Sequence, residues 1–323
     1  MDFVFMLTRD DRTVTDCLDV LDQLDALDRH DGPEGPEGRD GSHEPDGPGD
    51  LDRRDLLGLG RRDTVDVLGG AEAPHTGRTA GIARAGHEAR VDHIGFKDVG
   101  VDTPTLARLH RRIKDRGATS YLEVVSTTRE EALASARTAV DLGVDWLMGG
   151  TWVEETLTLL DGTGTRYLPF AGEPLGHPTR LAGGPSRIAD DCRRAEAAGC
   201  AGVDLLAYRA VDADPLDLVR AARAATTGRL VVAGSITTPA RIRALAEAGA
   251  DAFTIGSAAF SGSLRPDAGT LGAQLTTILE ATAAAVAAGP PRRAPEHRPG
   301  PAPSPGGPEG RPVTPPEALT LEK

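Results

Sequence analysis

Eight times along the chain, a short run rich in β-branched and aromatic residues passes through a loop into a segment whose apolar residues recur three and four apart. The strand candidates are FVFMLT, DHIGFKD, SYLEVVS, DWLMGG, RYLPFAG, GVDLLAY, RLVVAGS and AFTIGS. Between them lie amphipathic segments such as TPTLARLHRRIKDRG and TPARIRALAEAG, several closed by the glycine expected just past a helix. The connection after the fourth strand, TWVEETLTLLDGTG, is shorter but still long enough for a helix of about two to three turns. Eight strand-helix units at this spacing specify a closed parallel barrel more readily than an open sheet. The expected fold class is therefore α/β, a (β/α)8 TIM barrel.

Two stretches break the rhythm. Residues 31–50, DGPEGPEGRDGSHEPDGPGD, hold too few apolar side chains to offset the entropy of ordering them, and the irregular character continues toward residue 88. From residue 289 a proline-rich run, PPRRAPEHRPGPAPSPGGPEGRP, has no apolar periodicity. The expected organisation is one barrel over 1–288, interrupted by a low-complexity insert at about 31–88 after the first helix, and a disordered tail over 289–323.

Charge narrows the partners. A net charge of -13 repels polyanions, which argues against nucleic acid or an anionic membrane as a binding surface. Cys17, Cys192 and Cys200 offer neither a disulfide framework nor a zinc ligand set. The N-terminus lacks the basic start and long apolar stretch of a signal peptide, and no segment approaches a membrane-spanning length. A cytoplasmic protein is expected. GLGRRD near Gly58 lacks the spacing and the strand-turn-helix context of a dinucleotide site, and the His, Asp and Glu residues make no metal cluster, so no cofactor and no metal are expected. Nothing in the sequence signals an oligomeric state.

The most informative stretch is VVAGSITTPARIRALAEAGADAFTIGSAAF, from Val231 to Phe260. Its two apolar runs end in Gly234-Ser235 and Gly256-Ser257, at the tips of the seventh and eighth strands. In such a barrel these tips lie side by side, and small residues there let backbone N–H groups approach a phosphate. The expected ligand is a small phosphorylated metabolite.

This segment resembles the terminal quarter of the ribulose-phosphate-binding barrel superfamily, closest to ribulose-phosphate epimerases and keto-gulonate-phosphate decarboxylases. The resemblance implies a phosphorylated ligand on Gly234, Ser235, Gly256 and Ser257. It leaves the reaction open, because this chain departs from both families' chemical motifs. His93 matches the histidine of the epimerase His-x-Asp motif, but Gly95 stands in place of its carboxylate, and Ala233 where a second aspartate would lie. Lys97 matches the lysine of the decarboxylase Asp-x-Lys-x-x-Asp motif, with Gly95 and Gly100 where the two acids would be.

Strand parity gives an independent reading, since alternate residues face the barrel interior. In HIGFKD, Ile94 and Phe96 suit the helix-facing side, so His93, Gly95 and Lys97 point inward. By the same rule Tyr121 and Glu123 point inward on the third strand, and Asp204 and Tyr208 on the sixth. Lys97 and Glu123 should meet. A cluster of this kind is costly to bury unless its members pair or act on a ligand. Lys97 is a candidate to stabilise an enediolate oxygen, or alternatively to form a Schiff base; Glu123 or Asp204 is a candidate to move a proton. His177, in the long loop after the fifth strand, is a further acid-base candidate, and Arg9, Tyr208 and Arg209 are candidates to contact substrate. These residues predict an isomerase, an epimerase or a carbon-carbon lyase working through an enolate or enediolate. The alternatives are a class I aldolase using Lys97 and a non-catalytic phosphometabolite sensor.

Overall fold

The computed structural model describes residues 1–30 and 90–288, so the expected insert and tail fall outside the described residues. Eight short parallel strands form the central sheet: β1 (Asp2–Met6), β2 (His93–Lys97), β3 (Thr119–Val124), β4 (Trp146–Gly149), β5 (Arg166–Leu168), β6 (Gly202–Leu205), β7 (Arg229–Val232) and β8 (Ala252–Ile255). Their ladder runs β6-β7-β8-β1-β2-β3-β4-β5. The seam between β5 and β6 is closed by Asp204, whose N–H donates to Pro169 O at 2.9 Å and whose carbonyl accepts from Ala171 N at 3.0 Å. With that bridge the sheet is a barrel of the TIM type.

Helices α1 (Cys17–His30), α2 (Thr103–Asp115), α3 (Arg129–Leu142), α4 (Val153–Leu160), α5 (Pro185–Ala198), α6 (Pro215–Ala225), α7 (Pro239–Ala248) and α8 (Leu271–Ala288) accompany the strands. Their starts are written in the sequence. Asp102, Thr128, Asp214 and Thr238 are N-caps whose side chains accept from backbone N–H groups one turn on, and proline opens α5, α6 and α7.

Two hydrophobic layers follow from the alternation along the strands. Ile94, Phe96, Leu122, Leu147 and Val203 pack outward under the helices. Val4, Met6, Tyr121, Trp146, Met148, Leu168 and Val231 fill the barrel interior. Gly95 belongs to that inner layer: a Cβ there would lie 2.3 Å from Met6 Sδ, so the methionine sulfur fills the space a carboxylate would need.

Parity fails where a strand ends early. β6 stops at Leu205 and the chain turns through a 3-10 helix, Ala207–Arg209, which carries Tyr208 out of the lumen and beneath the Arg241 guanidinium, 4.6 Å from the ring centroid. The expected inward placement of Tyr208 is thereby corrected.

Two hairpins cap the carboxyl end of the strands. Thr8–Arg9 pairs with Arg12–Thr13 just after β1, and Glu173–Leu175 pairs with Arg180–Ala182 after β5.

A second correction concerns α8. By length and composition it could cross a membrane, although no segment of that kind is read from the sequence. It packs on α7 and β1, burying Leu275, Ile278 and Ala285, and its buried Gln274 amide donates to Arg265 O and Ala268 O. Its hydropathy comes from three leucines, Ile278, Val286 and a run of alanines.

Candidate functional site

A cavity of about 580 Å³ opens at the carboxyl ends of the strands, within the usual range for a small-molecule site. Gly234, Ser235, Gly256 and Ser257 lie on one side of it, with Lys97, Glu123, Asp11 and Arg209 at its floor. The three non-glycine residues with positive φ among the described residues, Asp10, Asp11 and Ser235, all line this cavity. Such backbone is retained only where surrounding contacts hold it, and it clusters at functional sites.

The floor is built from adjacent strands. Lys97 and Glu123 are register partners across β2 and β3, both nearly fully buried, and Lys97 Nζ lies 3.5 Å from Glu123 Oε2. The shorter contact is with Asp11, whose Oδ1 lies 2.8 Å from the same nitrogen. Burial alone would favour a neutral amine, but Glu123 and Asp11 outweigh it and hold the Lys97 ammonium above its ordinary range. Asp11 is buried too, yet Lys97 and Arg209 keep its carboxyl well below the usual carboxylate range.

Asp204 lies behind this group. It is fully buried, neither carboxylate oxygen has a hydrogen-bond partner, and burial followed by the Glu123 charge raises its carboxyl well above the usual range. It does not line the cavity.

Sequence reasoning missed Asp11. The signal was the run RDDR directly after the first strand, at the end of the barrel where function resides. The Thr8–Thr13 hairpin aims this side chain inward. Its Thr13 hydroxyl accepts from Lys97 N and donates to Lys97 O, each at 2.9 Å, and Asp10 N donates to Ser257 Oγ at 3.1 Å.

The Gly-Ser turns have cationic neighbours that the sequence reading did not require. A Cβ on Gly234 would lie 2.4 Å from Arg209 Nε, so this glycine makes room for the guanidinium. Arg241 donates to Ser235 O from behind the turn. Arg9 lines the cavity at its rim, stacked 4.8 Å over the Phe260 ring centroid. His177 is not brought to the site: the loop after β5 pairs with itself as a hairpin, and His177 stands exposed at its turn. His93, at the start of β2 and opposite end of the barrel from Lys97, contacts the Tyr121 hydroxyl at 3.1 Å. Asp98 accepts from Val125 N and from the Ser126 and Ser135 hydroxyls, which fixes the loop after β3.

A second cavity, of about 550 Å³, lies between the start of α4 and the length of α5, beside the second hairpin, walled by Trp152, Phe170 and Pro174. Among the described residues no group of three or more His, Cys, Asp and Glu side chains has metal-binding geometry.

No protein-family model matches the chain, and no curated protein matches it. Among solved structures it is similar to the BexX/CysO complex of Amycolatopsis orientalis, with 20% identity over 64% of this chain and 85% of that one and a TM-score of 0.44. It is similar also to thiamine phosphate pyrophosphorylase from Pyrococcus furiosus, with 12% identity over 61% and 86% of the two chains and a TM-score of 0.43. A third similarity is to orotidine 5'-phosphate decarboxylase from Pyrococcus horikoshii, with 13% identity over 60% and 88% and a TM-score of 0.43. These likenesses are distant, barrel to barrel.

Proposed function

We propose that the protein is an enzyme acting on a small phosphorylated carbonyl compound through an enolate or enediolate, as an isomerase, an epimerase or a carbon-carbon lyase. One observation carries this reading: a single cavity has two adjacent Gly-Ser turns on one side and a buried, charged lysine beside a carboxylate at its floor. The phosphate sits on the backbone and hydroxyl donors of Gly234, Ser235, Gly256 and Ser257, and the carbonyl end reaches Lys97. The Lys97 ammonium stabilises the oxygen on which negative charge develops, and Glu123 moves the proton on or off the neighbouring carbon. Asp204 lies behind them, its carboxyl raised well above the usual range by burial and the Glu123 charge.

The covalent alternative, a Schiff base on Lys97, needs a neutral amine, and the two carboxylates on this nitrogen oppose that. Borohydride in the presence of a bound carbonyl ligand is therefore expected to leave Lys97 unmodified.

A thermal-shift screen tests the proposal. Phosphorylated aldoses or ketoses should raise the melting temperature, the parent sugars should not, and Ser257→Asp should abolish the rise by placing a carboxylate in the phosphate cup. If no phosphorylated carbonyl compound stabilises the protein, or if the shift survives Ser257→Asp, the proposal is wrong.

A further inference from the structure

We propose that Asp11 sets the substrate class of this cavity, which takes a phosphorylated aldose or ketose with an uncharged reacting end and turns away phosphorylated acids of the same size. The inference rests on the reading of the cavity as a phosphorylated-carbonyl site and makes a choice that reading leaves open.

The argument is one of charge and hydrogen-bond capacity. A substrate carboxylate at the floor would need a cation, and Lys97 and Arg209 are the two cations there. Both are already engaged. Asp11 Oδ1 accepts from Lys97 Nζ at 2.8 Å and from Arg209 Nη2 at 3.1 Å, while Oδ2 accepts from Arg209 Nη1 at 3.2 Å. Its carboxylate therefore sits between lysine and guanidinium, where a substrate carboxylate would be held. Arg209 Nη1 also donates to Thr179 O at 3.1 Å, and Glu123 lies against Lys97.

Two cations thus face two carboxylates at the floor, and Asp204 behind them brings no further cation. An entering carboxylate would meet Asp11 and Glu123 in a low-dielectric space with no cation to itself, and like charges in such a space repel strongly. A neutral carbonyl is treated differently. An ammonium carries three N–H donors, and with Asp11 taking one and Glu123 3.5 Å away as an ion-pair partner, Lys97 retains a donor for a carbonyl oxygen.

Asp11 is held in place from both ends of the site. Thr13 fastens its hairpin to the Lys97 backbone, and Asp10 fastens it to Ser257 in the phosphate cup. The φ of +63° at Asp11 also makes Asn a suitable replacement, since Asn and Asp tolerate the left-handed region best among non-glycine residues.

The test uses pairs of ligands matched in carbon number: ribulose phosphate against phosphoribonate, and fructose phosphate against phosphogluconate, with inorganic phosphate as a probe of the cup. Calorimetry on the full-length wild-type protein should show the sugar phosphate of each pair binding roughly tenfold tighter or more. In Asp11→Asn the acid of each pair should gain about tenfold more than inorganic phosphate or the matched sugar phosphate does. A gain of affinity for one charge class is not produced by structural damage. Equal binding of acid and sugar phosphate by the wild type would overturn the inference even if Asp11→Asn does not fold, as would an Asp11→Asn protein with unchanged preference. If neither inorganic phosphate nor any sugar phosphate binds, the underlying reading of the cavity fails instead.

Discussion

Asp204 has a fully buried carboxyl with no hydrogen-bond partner, beside the Glu123 charge. Its folded pKa is raised, so above pH 3.8 the unfolded chain releases a proton that the folded chain keeps. The residue's contribution to stability is thus fully present below that pH and is lost as pH rises toward its folded pKa. Asp204→Asn removes this dependence. Between pH ~4 and the folded pKa the variant should gain on wild type with a slope of about 1.4 kcal/mol per pH unit, in urea melts over a pH series. Parallel stability curves for the two proteins would show that Asp204 is ionised in the fold. Asp11 has the opposite sign: its depressed carboxyl contributes stability above pH 3.8 that is lost as pH falls through its folded pKa. Strand parity made Lys97, Glu123 and Asp204 legible in the sequence, because an inward position on a strand is fixed by counting in twos. Asp11 and Tyr208 lie past strand ends, where the direction of a side chain is set by turn geometry, and counting says nothing there.

At the scale of elements, the paired Gly-Ser turns were visible as small residues at two consecutive strand ends, but their neighbours were not. Gly234 adopts φ +78° and is crowded by Arg209, so Gly234→Ala should be strained twice over. We expect a loss of roughly 2 kcal/mol of stability by denaturant titration, together with weakened phosphate binding. A variant with wild-type stability and affinity would mean that the turn relaxes easily and that Arg209 is not held there. The two hairpins escaped the sequence reading because their strands are two or three residues long, too short for a period to show. Helix α8 was implied by the count of eight units, but its own pattern is weak. Its run of alanine and threonine has little contrast between faces, although Leu275 and Ile278 mark the buried side.

At the scale of the whole molecule, eight strands and their order followed from the repeat alone, since a parallel sheet with a helix in every crossover closes on itself at that number. Helix α8 lies over α7 and β1, next to the strands that carry the Gly-Ser turns. Ile278, fully buried on that helix, should cost about 2–5 kcal/mol when replaced by alanine, read as a lower denaturant midpoint. An unchanged midpoint would mean that α8 is not part of the barrel's cooperative unit.

The chemistry is tested most directly by hydrogen exchange at carbon. A sugar phosphate that stabilises the protein is incubated with it in deuterium oxide, and the carbon-bound hydrogen next to the carbonyl is followed by NMR. Wild type should wash deuterium into that position, and Lys97→Met should lose the exchange by about a hundredfold or more while still binding inorganic phosphate. Binding without exchange in the wild type, or exchange at the wild-type rate in Lys97→Met, would contradict an enediolate stabilised by this lysine.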